Sequence, residues 1–261
     1  MIDIHTHILP GVDDGAETIE DSIQMIKQAI DCGVKVICAT PHILDEIAPT
    51  FPEKINRTFQ FLYSQVKEKK LNIKLTLGSE IYVRQDMDSL RRFNFFSLNQ
   101  TGKYILMELP LGQLPSGVDQ LIFNLELESI TPIIAHPERS MIEKNQLKDI
   151  ENLIRLGALM QINAGSLLNH FGKSPRKMAE LLLKQNLVHI VASDAHNPSS
   201  RSVAVMAEAF RKVSRMVGNR KAEELFKLNP LKVLQAKELS ENEKEARLKQ
   251  RRSAQVEIGA W

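Results

Sequence analysis

The residues with most chemistry to offer are the seven histidines, and five of them fall into a pattern. His5 and His7 form an H-x-H pair at the end of a short apolar run. Side chains alternate along a strand, so positions two apart project to the same side. His42 follows a second run in Thr40-Pro41-His42. Glu80 follows a third in Gly78-Ser79-Glu80, and Glu108 ends a fourth in Met107-Glu108-Leu109-Pro110. His136 follows a fifth in Ala135-His136-Pro137-Glu138-Arg139. Asp194 and His196 follow the last in Ser193-Asp194-Ala195-His196-Asn197. Any one of these is ordinarily a structural or surface residue, and recurrence at successive run ends gives the set its meaning. A mixed imidazole and carboxylate set suits zinc, manganese or iron. The donors exceed what one tetrahedral ion takes, so a multinuclear site is expected.

The remaining candidates divide. Asp13 and Asp14 stand close to His7, and spacing does not choose between them as a ligand. The ordinary role for either is to cap the helix that follows. His189, in Leu187-Val188-His189-Ile190-Val191, reads as a core histidine, and His170 lies in a loop-like stretch. Neither is assigned to the site. Cys32 and Cys38 read as reduced, packed thiols. Neither is followed by the arginine that a thiolate-based phosphatase loop requires, and no zinc-type C-x-x-C is present.

The elements that must position these groups are short strands alternating with helices. Strands are expected at Ile2–His5, Val34–Ala39, Lys74–Gly78, Tyr104–Leu109, Thr131–Ala135, Leu159–Asn163 and Val188–Ala192. The first helix carries Ile19, Ile23, Ile26 and Ile30 on one face and an acidic start at Glu17, Glu20 and Asp21. Others are expected over Lys54–Lys70, Val118–Ser129, Asn145–Gly157, Ser174–Asn186 and Ser200–Val217. This alternation implies a parallel sheet, and seven such units favour an α/β barrel over an open sheet. In a parallel barrel every candidate ligand lies at the C-terminal face, where active sites are built.

Composition agrees with a folded enzyme. The 261 residues are 43% hydrophobic and 25% charged, which excludes disorder as the main state. A net charge of +2 points to no nucleic-acid or membrane partner, and no G-x-G-x-x-G or Walker-type loop follows a strand. No signal peptide or membrane span is expected, so the chain reads as cytoplasmic. One domain is expected over 1–236, and a charged helix or tail over 237–261. Its segment Arg247-Leu248-Lys249-Gln250-Arg251-Arg252 reads as solvated, with a contact to an acidic partner or membrane surface as the sharper alternative.

The set His5-Thr6-His7, Pro10, Asp13-Asp14-Gly15, Thr40-Pro41-His42, Glu80, Glu108, His136-Pro137-Glu138-Arg139 and Ser193-Asp194-Ala195-His196-Asn197 resembles the PHP (polymerase and histidinol phosphatase) superfamily. Within it, the chain is most similar to the bacterial metal-dependent protein-tyrosine phosphatases of capsule and exopolysaccharide operons. The resemblance runs from Met1 to about Val217 and implies a distorted (β/α)7 TIM-like barrel with three divalent ions, manganese often preferred. By resemblance, His5, His7, Glu80 and Asp194 hold the first ion. Glu80 bridges to a second, completed by Glu108 and His136, and Asp14, His42 and His196 hold the third. Arg139 and Arg201 match the family's phosphate-binding arginines; as single residues both read as structural. Asp194 or His196 is a candidate to assist protonation of the leaving group.

The resemblance further implies hydrolysis of phosphotyrosine on the Tyr-rich tail of a membrane-associated bacterial tyrosine autokinase. Metal ions lower the pKa of a bound water, so no protein nucleophile is needed. The alternatives are a small-molecule phosphatase such as histidinol phosphatase, a PHP phosphodiesterase or exonuclease, an amidohydrolase, and a non-catalytic metal-binding scaffold.

Overall fold

The computed structural model describes residues 1–43, 51–83, 96–112, 114–141 and 143–239. Among these residues nine parallel strands build the frame: β1 (Ile2–Thr6), β2 (Val36–Ala39), β3 (His42–Ile43), β4 (Lys74–Leu77), β5 (Glu80–Tyr82), β6 (Tyr104–Glu108), β7 (Thr131–Ala135), β8 (Leu159–Asn163) and β9 (Ile190–Ala192). They form two sheets, ordered β1-β2-β4 and β3-β5-β6-β7-β8-β9. Proline has no N–H to give to a ladder, and β3 resumes after Thr40-Pro41 where β2 stops. In the same way β5 resumes after Gly78-Ser79 where β4 stops. An isolated parallel bridge between Thr6 and Ala195 ties the end of the larger sheet back to β1. Seven strand positions therefore follow one another in a distorted (β/α)7 arrangement, although hydrogen bonding does not run unbroken around it.

The strands at Thr131–Ala135 and Leu159–Asn163 match the sequence expectation to the residue. The splits that create β3 and β5 were not anticipated. Helices α1 (Ile19–Asp31), α2 (Phe51–Glu68), α3 (Val118–Leu127), α4 (Pro137–Ser140), α5 (Leu147–Arg155), α6 (Ala164–Leu167), α7 (Lys173–Lys184), α8 (Val205–Val217), α9 (Asn219–Glu223) and α10 (Asn229–Leu234) complete the fold. The cap of α1 is Thr18, which forms a reciprocal capping box with Asp21, so neither Asp13 nor Asp14 is needed there and Glu17 precedes the helix. Helix α8 starts later than Ser200 because the Asn197 side-chain oxygen accepts the N–H groups of Ser199, Ser200 and Arg201 and holds them in a turn.

Two hydrophobic clusters result. The larger packs the helices against the outside of the strands. The smaller fills the interior with Ile2, Ile4, Tyr104, Leu106, Ile133 and Leu159 among others. At the N-terminal end of the strands the last described segment covers this interior. Tyr104 Oη donates to the Lys237 carbonyl at 2.8 Å, and the Asn99 amide donates to that of Leu234 at 2.9 Å. The basic stretch Arg247–Arg252 lies outside the described residues. Among the described residues no helix is long and apolar enough to cross a membrane.

Candidate metal centre

The site is built at the C-terminal ends of the strands, and three backbone irregularities aim its side chains. Along β1, Ile2 and Ile4 face the interior. His5 and His7 face it too, and this change of parity falls where pairing with β2 slips between Asp3 and Thr6. Such a bulge re-aims the residues that follow it. After β7, His136 adopts φ +32°, and after β9, Asp194 adopts φ +52°. Left-handed conformations are uncommon for residues with a Cβ and concentrate where the surrounding structure holds them for a purpose. Here they turn an imidazole and a carboxylate toward the common centre.

The donor atoms converge in three overlapping groups, with members of each within 4.8 Å of one another: His5, His7, Glu80 and Asp194; His7, Asp14, His42 and His196; and His42, Glu80 and Glu108. His5 Nε2 lies 3.2 Å from His7 Nε2, 3.1 Å from Glu80 Oε2 and 3.4 Å from Asp194 Oδ1. His7 Nε2 lies 3.2 Å from Glu80 Oε2. Ligands about 2.1 Å from a tetrahedral ion stand about 3.4 Å apart, so this spacing fits an ion. His42 and His196 approach Asp14 Oδ1 at 3.5 and 3.4 Å through Nε2. His136 Nε2 sits 3.1 Å from Glu80 and 3.7 Å from Glu108. Glu80 is thus shared between groups. His42 Nδ1, Glu80 Oε2 and His196 Nε2 are buried with no hydrogen-bond partner among the described residues. Buried donors and acceptors are ordinarily satisfied, so these atoms fit ligands of divalent ions.

The surrounding shell sets the imidazole tautomers. Gln161 Oε1 accepts from His5 Nδ1 at 2.8 Å, and the Asp13 carboxylate accepts from His7 Nδ1 at 2.8 Å. The Asp194 carbonyl accepts from His196 Nδ1 at 3.0 Å. Each ring therefore presents Nε2 to the centre. Burial opposes charge on His7, but Asp13 and Glu80 outweigh it and lift the imidazole to about 10. Burial likewise opposes charge on Asp13, yet its hydrogen bonds and His7 hold the carboxyl down at about 2.

Arg139 Nη1 and Arg201 Nη2 converge on Asp194 Oδ2 at 2.8 and 2.7 Å, and the Asn163 amide donates to the same oxygen at 2.6 Å. Arg139 pairs with neither Glu138 nor Glu143: Glu138 is buried and accepts instead from the Asn163 N–H and Ser166 Oγ. These contacts also bear on proton transfer. Burial alone raises the Asp194 carboxyl, but the charges of His5, His136 and Arg201 hold it well below the usual range. Burial and the neighbouring His7 press His196 down to about 2.

A family model of capsular polysaccharide synthesis proteins, CpsB/CapC, matches residues 1–235. The chain belongs to this family. Tyrosine-protein phosphatase YwqE of Bacillus subtilis is 37% identical over 203 residues, 77% of this chain and 80% of that protein. Tyrosine-protein phosphatase CpsB of Streptococcus agalactiae is 32% identical over 240 residues, 90% of this chain and 98% of that protein. A crystal structure from work on YwqE of Bacillus subtilis and CpsB of Streptococcus pneumoniae, described as unique metal-dependent tyrosine phosphatases, matches with a TM-score of 0.84 at 33% identity. It covers 91% of this chain and 96% of that one.

In this CpsB/CapC chain all nine expected ligand positions and both arginines meet at one mouth. His189 and His170 belong to none of the three donor groups; His189 Nδ1 accepts the Met160 N–H at 3.0 Å. Sequence reasoning placed β8 but gave its polar side chains no role. That strand supplies no candidate ligand, but Gln161 holds His5, Gln161 also donates to Asn163 at 2.9 Å, and Asn163 holds Asp194. Alternate polar residues inside an otherwise apolar strand were the signal for it. Phe171, beneath both arginines, carried no signal at all.

Proposed function

We infer that this chain is a metal-dependent tyrosine-protein phosphatase of capsular polysaccharide synthesis. The observation that carries the reading is the pairing of three overlapping imidazole–carboxylate groups with two arginines that share one carboxylate oxygen.

His5, His7, Glu80 and Asp194 would hold one divalent ion. Glu80, Glu108 and His136, with His42 alongside, would hold a second, and Asp14, His42 and His196 with His7 a third. Manganese is the metal we favour, with iron and zinc as alternatives. Such ions supply an activated water and withdraw charge from the phosphoryl oxygens. The chain's own groups do the rest. Arg139 and Arg201 stand at the rim with side chains 22% and 27% exposed, open to a phosphoryl group entering from solvent. Arg201 Nε is buried with no hydrogen-bond acceptor among the described residues, leaving a donor to aim at a phosphoryl oxygen. Planar guanidinium forks suit that oxygen geometry. Asp194 keeps Oδ1 for the imidazole side and Oδ2 for the arginines, so it couples ion position to phosphate position. Tyrosinate, with a pKa of about 10, leaves without strong help from an acid.

The substrate we propose is the Tyr-rich tail of a membrane-associated bacterial tyrosine autokinase, met in the cytoplasm by a single domain spanning 1–236. The test is phosphate release from a phosphotyrosine peptide with manganese present, after chelation, and after manganese is restored. Histidinol phosphate serves as the competing substrate. Metal-independent release, or preference for histidinol phosphate, would overturn the reading.

A further inference from the structure

The two arginines present a physical problem. Both donate to one oxygen, Asp194 Oδ2, at 2.8 and 2.7 Å, so two guanidinium charges lie close together. Asp194 offsets their repulsion, but it is an anion and opposes the approach of a phosphate dianion. A support that attracts cations without carrying negative charge would hold the pair and leave the entrance open to an anion. An aromatic ring does this through its quadrupole.

Phe171 stands in that place. The guanidinium carbon of Arg139 lies 4.4 Å from the centroid of the Phe171 ring, and that of Arg201 lies 5.7 Å away. The ring is seated by a built turn. Glu138 receives the Asn163 N–H and Ser166 Oγ and so secures the start of α6. The Leu168 and His170 N–H groups both return to the Gly165 carbonyl, and Asn169 turns the chain at φ +69°. A Cβ on Gly165 would stand 3.0 Å from Phe171 Cε2, so the missing side chain at 165 makes room for the ring edge.

We propose that Phe171 is a positioning residue for the phosphoryl group, its ring a shared platform that holds the guanidinium planes of Arg139 and Arg201. The proposal rests on the reading that these arginines bind phosphate. The contacts that carry the proposal run from the ring to the two guanidinium groups, so its loss is expected to act on binding of the phosphoryl group and not on ion loading.

The experiment uses the manganese-loaded full chain with p-nitrophenyl phosphate as substrate and inorganic phosphate as competitor. Phe171→Leu keeps apolar bulk and removes the π face; it raises KM and the inhibition constant of phosphate about three- to tenfold. In that variant kcat and metal content stay near wild type. Phe171→Tyr keeps the face and restores both constants. Phe171→Met is the second apolar variant and behaves as Phe171→Leu does, should the latter fold poorly. Wild-type phosphate inhibition in both apolar variants, or a Phe171→Tyr variant as impaired as Phe171→Leu, overturns the proposal. Arg139→Ala separates the two levels: if it leaves phosphate inhibition unchanged, the reading of the arginines fails, independently of what Phe171 does.

Discussion

Arg139 and Arg201 reach the same oxygen of Asp194, from residues 55 and 7 positions away in the chain. The opposite oxygen of that carboxylate faces His5 and His7. One side chain thus joins the arginine pair to the imidazole cluster. Asp194→Asn keeps the size but loses the charge that both sides use. We expect kcat/KM to fall about 10²-fold or more, with reduced metal content measured on the purified protein. Full loading and near-native turnover in that variant would contradict the coupling.

The Asp13–His7 contact predicts proton release on metal loading. In the ion-free protein His7 holds its proton up to about pH 10, well above its unfolded value of about 6.5. Stability from this charge is complete below the unfolded value and is lost as pH rises through the folded one. An ion needs the Nε2 lone pair, so loading at neutral pH expels a proton, and apparent affinity climbs as pH rises. Calorimetric titration with manganese in two buffers of different ionisation heat should give different heats; equal heats would refute it. Asp13→Asn should weaken metal binding about 10- to 100-fold, since it loosens the ring that Asp13 orients.

Gly15 is where the loop after β1 touches the histidine it must support. A Cβ there would lie 2.1 Å from the His7 carbonyl oxygen and 2.5 Å from its Cβ, and the Ala16 N–H donates to that same carbonyl. Gly15→Ala must displace backbone. We expect a loss of stability of about 1–3 kcal/mol together with impaired metal loading, read by thermal unfolding and metal analysis. Unchanged values for both would show that the loop yields freely.

Neither thiol belongs to the three donor groups. Cys38 is buried in β2, where burial pushes its thiol up to about 11, and burial raises half-buried Cys32 as well. Treatment with iodoacetamide should leave turnover intact. Cys38→Ala should cost about 1 kcal/mol of stability without lowering kcat. Loss of turnover in the variant, at temperatures where it is folded, would implicate the thiol.

Much of the site was legible because its residue types contrast with what precedes them. An apolar run that ends in His, Glu or Asp marks a strand emerging at a face, and His5, His42, Glu80, Glu108, His136 and Asp194 all read that way. What stayed hidden depends on local backbone or on distant neighbours. Alternation alone puts His5 opposite Ile4; the bulge in β1 brings both inward. Alternation also turns His136 away from Ala135, and the left-handed φ reverses that. Asp13 looks like a helix cap until Thr18 is seen in that role. Gln161, Asn163 and Phe171 acquire meaning only from the side chains they meet across the fold.

The bridge between Thr6 and Ala195 has a consequence for biogenesis. The Ser193 N–H donates to Asp3 Oδ1 across 190 residues, and the first ligand group draws on both ends of that span. No shorter nascent chain owns the complete first group, whereas His42, Glu80 and Glu108 are all made earlier. Capture at the first group therefore comes late in synthesis, after the two sheets have met, and acts as a latch on the finished arrangement rather than a seed for folding. A ribosome-stalled chain ending before β9 would emerge with the first group incomplete, and would stay catalytically silent until its last strand arrived.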